Sequence, residues 1–194
     1  MSLKLYTAPA AEPISLAEAK LHLRVDIADD DELITAQIKA AREYVEQLAN
    51  RSLITQTWEY TLEAFPDGNQ IVLPRPPLVS VTSVVYTDYT GTAATFSSLY
   101  YTVDTYAEPG QIVLKYGQLW PAVALATVNG VCIRYTAGYG ATGASVPQRL
   151  RQAILLLLGH WYENREAVQF GNLMPQELPF AVQALLWSDR IASL

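Results

Sequence analysis

The apolar residues of this chain change their period twice, and that double switch limits the folds open to it. Between Glu12 and Asn50 they recur at helical spacing; from about Arg51 to Ser145 they alternate; beyond Ser145 they return to helical spacing. In the first zone Ser15 with Glu18 three residues on is a capping-box signature, predicting a short helix through about Arg24. Asp29 followed by Glu32 repeats the pattern and sets carboxylates at the positive end of a second helix. Along that helix Ile34, Ile38, Ala41, Val45 and Leu48 form one apolar stripe about four turns long.

In the middle zone Trp58, Tyr60, Leu62 and Ala64 alternate with Thr57, Glu59, Thr61 and Glu63, the period of a half-buried strand. Pro66-Asp67-Gly68-Asn69 predicts a turn, with Gln70–Leu73 as the returning strand, ended by Pro74, Pro76 and Pro77. Further strands are expected at Val81–Thr87, Tyr100–Val103, Ile112–Lys115 and Val128–Tyr135. Gly91, Pro109-Gly110 and Asn129-Gly130 punctuate them. Nine of the twelve tyrosines fall in this zone, in keeping with strand propensity. Short connections without helices point to an antiparallel meander or a small barrel.

Ser145-Val146-Pro147-Gln148 opens the third zone with a candidate N-cap serine and a proline in the first turn. The helix is expected to run through Leu150, Ile154, Leu157, Leu158 and Trp161 to about Glu166. Leu155, Leu156 and Tyr162 make it apolar around most of its circumference, so more than one side is covered, by the core or by another subunit. Pro179 predicts the start of a last helix through Leu185, Leu186 and Arg190. The fold class is therefore α+β in one domain spanning 1–194. A helical core formed by 12–50 and 145–191 carries an antiparallel β insertion at about 51–144.

Composition narrows function. A chain of 194 residues with 51% hydrophobic and 16% charged residues builds an ordinary core rather than a disordered coil. The single Cys132 excludes an internal disulfide framework and fits a reducing compartment. The N-terminus lacks a basic stretch followed by an apolar run, so no secretory leader is expected, and Ala153–Leu158 is far too short to span a bilayer. Net charge is −6, and Lys and Arg are scattered rather than clustered into a basic face, so sequence-specific gripping of DNA is not expected.

Candidate chemistry is sparse. Gly138-Tyr139-Gly140-Ala141-Thr142-Gly143 matches G-x-G-x-x-G after a strand, yet no second strand follows to complete a βαβ unit, so the glycines read as a strand-to-helix connection. His22 and His160 lie in different helices without companion ligands, and the Asp29–Glu32 cluster lacks the alternation and central glycine of a calcium loop. Cys132 sits in a strand pattern as a packing residue. No catalytic, cofactor-binding or metal-ligating residues are assigned, and no cofactor is expected. Tyr162-Glu163-Asn164-Arg165-Glu166 either caps the core or supplies salt bridges between subunits. Leu157, Trp161, Tyr162, Arg165 and Glu166 are the candidate subunit interface, Trp, Tyr and Arg being enriched where interfaces are energetic.

An ordered set of segments resembles phage head-tail connector proteins, the adaptors or head-completion proteins of long-tailed phages and prophages. The set begins with Ala40–Glu46 and Asn50–Trp58, continues through Leu73–Pro77, Val81–Val84 and Arg134–Gly140, and closes with Val146-Pro147, Ala153-Ile154, His160–Glu166 and Leu178-Pro179. The β insertion matches one branch of that family. The resemblance implies a non-enzymatic homo-oligomer, typically a ring of twelve, made in the bacterial host cytoplasm and placed at the virion head-tail joint. Its partners would be the portal protein and a downstream joint or tail protein, with DNA passing through the lumen and no membrane involved. The acidic balance fits a conduit whose walls repel DNA. A second class, a small ligand- or carbohydrate-binding module using the Tyr-rich β zone, also remains open to the residues alone. A third, a nucleotide-dependent enzyme, rests only on the glycine loop.

Overall fold

The computed structural model describes residues 1–164, 180–187 and 189–191. The chain divides into two compact units, one formed by Met1–Ala10 and Thr55–Tyr139, the other by Ala11–Ile54 and the described residues from Gly140 onward.

The second unit is helical. Helix α1 (Leu16–Leu23) carries the expected capping box: the Ser15 hydroxyl accepts from the Glu18 N–H at 3.2 Å, and the Glu18 carboxylate accepts from the Ser15 N–H at 3.0 Å. Helix α2 (Asp31–Ala49) buries Ile34, Ile38, Ala41, Val45 and Ala49, while Leu48 is half-buried. Its cap is Asp30 rather than Asp29, and Asp30 makes no side-chain cap bond. With φ −98° and ψ 7°, Asp30 lacks the extended backbone that would bring its carboxylate back over the first turn. Helix α3 (Gln148–Glu163) buries Leu150, Ala153, Ile154, Leu157 and Leu158, a stripe at helical spacing. Ser145 is not its cap. Val146 precedes a proline and is held extended, so Gly143–Ser145 closes as a separate 3₁₀ turn and the helix starts after Pro147. Helix α4 (Phe180–Trp187) follows; its expected start at Pro179 lies outside the described residues. The four helices pack on one another.

The first unit holds eight strands in two antiparallel sheets. They are β1 (Ser2–Thr7), β2 (Gln56–Leu62), β3 (Gln70–Val72), β4 (Leu78–Thr87), β5 (Ala93–Thr95), β6 (Tyr101–Asp104), β7 (Gln111–Leu114) and β8 (Val131–Ala137). One sheet has the order β1-β2-β8-β4-β5, the other β3-β7-β6. The arrangement corrects two expectations. It is not a meander, because β8 is threaded between β2 and β4, and neither sheet closes into a barrel. The turn at Pro66–Asn69 does not return the chain alongside β2 either: β1 and β8 already fill both edges of β2, and β3 pairs with β7. Leu62, Ile71, Leu73, Leu78, Val84, Phe96, Tyr101, Ile112, Val131, Ile133 and Tyr135 form the core of this unit. Beside them Phe65 stacks on Trp120 at 5.1 Å, whose indole N–H donates to the Gly68 carbonyl at 2.7 Å.

Candidate assembly surfaces

Polar anchors fix the helical unit from within. Arg42, on α2, is buried and donates to Glu12 at 2.7 Å and Glu46 at 2.8 Å. Burial opposes its charge, but the two carboxylates more than offset that, and its pKa is raised. Glu46 also accepts from the Leu53 N–H at 2.8 Å, so one carboxylate joins α2 to the segment after it. Arg151 of α3 pairs with Glu18 of α1 and donates to the Pro13 carbonyl at 3.1 Å. At the end of α4, buried Asp189 pairs with Arg149, and its carbonyl accepts from Arg51 at 2.6 Å.

The candidate interface residues separate on this framework. Leu157 is fully buried among the helices of its own chain. Trp161 and Tyr162 are half-buried: Trp161 meets Tyr44 edge-on at 6.1 Å, and the Tyr162 hydroxyl donates to Asp30 at 2.6 Å. Arg165 and Glu166 lie outside the described residues. The Asp29–Glu32 cluster is a braced helix start, with Asp31 also paired to Lys20 at 2.6 Å. Sequence reasoning passes over the groove beside it, lined by Glu12, Asp31, Glu32, Thr35, Ala36 and Lys39, and over Trp187, which is 76% exposed.

The glycine loop gives its backbone to packing. A Cβ on Gly143 would stand 2.3 Å from the Pro13 carbonyl oxygen, and one on Gly140 would stand 2.4 Å from the Ser145 hydroxyl. Gly138 has φ +136°, and its N–H donates to the Pro77 carbonyl at 2.9 Å. These demands account for all three glycines of the motif without a phosphate.

The tyrosines of the sheet unit do not converge. Tyr135 is buried with its hydroxyl on the Pro74 carbonyl at 2.7 Å, and burial pushes its pKa up. Tyr101 stacks inside the core, whereas Tyr89, Tyr106 and Tyr116 project from separate loops. On the five-stranded sheet Glu59 faces Arg134 across β2 and β8, paired at 2.6 Å, and Tyr6 of β1 covers the guanidinium at 3.8 Å. Cys132 is half-buried beside them; burial, then Glu59, raises its pKa, which disfavours the nucleophilic thiolate at neutral pH. Among the described residues no group of three His, Cys, Asp or Glu could hold a metal ion, and no helix is long and apolar enough to cross a membrane.

Comparison with known proteins follows the same line. No curated protein matches the chain. Among solved structures, a chain in the neck of an empty gene transfer agent particle, computed with C6 symmetry, is 26% identical with a TM-score of 0.81. The match covers 100% of this chain and 97% of that one. A chain in the virion of the native particle is equally similar, at 26% identity, the same coverage and a TM-score of 0.81. One in the neck of the native particle, computed with C12 symmetry, gives 26% identity, the same coverage and a TM-score of 0.80. The model of the head completion protein family matches residues 12–172. Carrying that match over most of its length, and the β insertion between its helices, the chain belongs to the head completion protein family.

Proposed function

We propose that this head completion protein works as one of the repeated subunits of a ring in the neck of a phage-like particle, without catalysing any reaction. Its role is structural, at the joint between head and tail. The observation that carries the ring is likeness over the whole chain to neck proteins computed with six-fold and twelve-fold symmetry. A closed ring needs two different, complementary patches on every subunit. It also needs subunits rigid enough to keep those patches in place, which the buried Arg42 and Asp189 anchors supply. The ring would sit beneath the portal protein, hold the next joint or tail protein, and leave its lumen to DNA. Trp161 and Tyr162, with Arg165 and Glu166 beyond them, are proposed to contribute to contacts between subunits.

Light scattering behind size exclusion, over a wide concentration range, tests this. Twelve copies of 21.4 kDa give about 260 kDa. A ring that appears only with purified portal is also consistent, because weak contacts strengthen once several subunits are held together. A chain that stays monomeric alone and fails to co-sediment with portal rings would overturn the proposal. Arg165→Glu is expected to lower assembly while leaving the thermal midpoint nearly unmoved; unchanged assembly would remove Arg165 from the interface.

A further inference from the structure

We infer that neighbouring subunits join head to tail through their helical units, Trp187 and Arg190 of one copy seating in the groove on the N-terminal half of α2 of the next. The inference rests on the ring proposed above and names one of its contacts. On one side is a knob. Trp187 is 76% exposed although Val182 and Leu186 of the same helix are buried. Arg190 is exposed, and among the described residues its guanidinium has no ion pair. Between them Asp189 is buried, clasped by Arg149, with its N–H on the Leu186 carbonyl at 3.1 Å and its own carbonyl on Arg51. A cation without an ion pair among the described residues and a solvent-facing indole thus flank a buried, hydrogen-bonded Asp189, and Arg and Trp are residue types enriched at energetic interface centres.

On the other side is a socket. Glu12, Asp31, Glu32, Thr35, Ala36 and Lys39 frame a groove of about 470 Å³ with largely apolar walls. The groove is open to solvent, so a side chain from outside can lie against it. Its rim carries three carboxylates against one lysine. Glu12 is engaged by Arg42 and Asp31 by Lys20, while Glu32 is exposed and has no ion pair among the described residues. Among the described residues, one guanidinium without an ion pair on the knob therefore matches one carboxylate without an ion pair on the socket. Knob and socket lie toward opposite ends of α2: Leu48 borders the knob and Ala36 the groove, about 18 Å apart along the helix. The patches are different and separated, as a cyclic head-to-tail interface demands.

Disulfide trapping tests the contact in the full chain. In a Cys132→Ser background that keeps the parent's melting temperature, Trp187→Cys combined with Ala36→Cys should give, on oxidation, a ladder of multimers beyond the dimer, absent from either single variant. A ladder that stops at dimers, or none, overturns the contact; if the parent still forms rings, the ring survives that failure. A parent that forms no ring alone or on portal, together with no ladder, overturns both. In a parallel assay Glu32→Lys and Arg190→Glu should each weaken assembly about tenfold, and the double reversal should restore it to within about threefold. Trp187→Ala that abolishes portal binding while leaving rings intact would assign the knob to the portal and overturn the inference.

Discussion

All four charged residues found buried among the described residues, Arg42, Glu46, Arg51 and Asp189, belong to the helical unit. In the sheet unit the ion pair of Glu59 with Arg134 lies at the half-exposed surface, the two side chains 21% and 37% accessible. The difference follows from how each kind of element holds its register. Strands are locked by ladder hydrogen bonds and by alternation, since a one-residue slip turns every side chain to the wrong face. Helices meet only through side chains, and an apolar stripe such as that of α3 tolerates sliding. A buried guanidinium tied to a carboxylate of another segment, as in Arg42 with Glu12, tolerates far less, and Glu46 beside it on α2 accepts in turn from the Leu53 N–H. A subunit that must fit its neighbours in a ring gains from that rigidity in its helical half.

Substitutions that break the helical unit should have the largest effects. Leu157→Asp sets an unpaired carboxylate among fully buried side chains and should cost upwards of about 4 kcal/mol in denaturant unfolding. Any loss of assembly in that variant would then report unfolding. Arg42→Ala removes the buried guanidinium that Glu12 and Glu46 share and should cost about 3–5 kcal/mol, whereas Arg134→Ala in the sheet unit, at a half-exposed pair, should cost far less. Equal losses would sink the contrast between the units. Trp120→Ala should cost about 3 kcal/mol through the lost stack on Phe65 and the lost bond to Gly68, because aromatic packing takes in the sheet unit the part that buried charge takes in the helical one.

What the sequence made legible tracks how local each signal is. The capping box at Ser15 and Glu18 and the stripes of α2 and α3 are written within a few residues, and the structure reproduces them. Strand β1 went unread. Ser2–Thr7 does alternate, but its role depends on β2 having a free edge some fifty residues away. The partner of β3 was hidden for the same reason: the turn at Pro66–Asn69 is visible locally, while the occupancy of both β2 edges is not. Arg42 and Glu46 at i and i+4 are legible as a helix pair, yet no pattern reveals that Glu12 closes over them. Trp187 follows Leu185 and Leu186 in an unbroken apolar run, so its exposure could only come from the fold.

The glycines sharpen the comparison at a smaller scale. Gly143→Ala would push a methyl into the backbone of Pro13 in the helical unit and should cost about 1–3 kcal/mol. Gly68→Ala, at a turn of the sheet unit with nothing within 4 Å, should stay within about 0.5 kcal/mol. Similar losses would mean that the glycine loop is no tighter than an exposed turn, and would revive the question of why its glycines are there.

The smallest expected effect concerns acid. Glu18 has its pKa lowered from the ordinary 4.5, first by the Ser15 N–H and then by the Ser15 hydroxyl and Arg151, partly countered by slight burial. Because its folded pKa lies below its unfolded one, the stability it supplies is fully present above about pH 4.5 and fades as pH falls through the lowered value. Glu18→Gln should therefore flatten the decline of stability between pH 5 and 3 while changing little in its slope near neutrality. Asp104 in the sheet unit is also lowered, chiefly by Gln111 and then by the N–H groups of Ala107 and Tyr106, but it braces only its own turn. Glu18 ties α1 to α3 through Arg151, so its protonation should release amides on both helices in hydrogen exchange, where Asp104→Asn should release only those of the turn after β6. Equal, local responses from the two variants would show that the Glu18–Arg151 contact does not couple the helices.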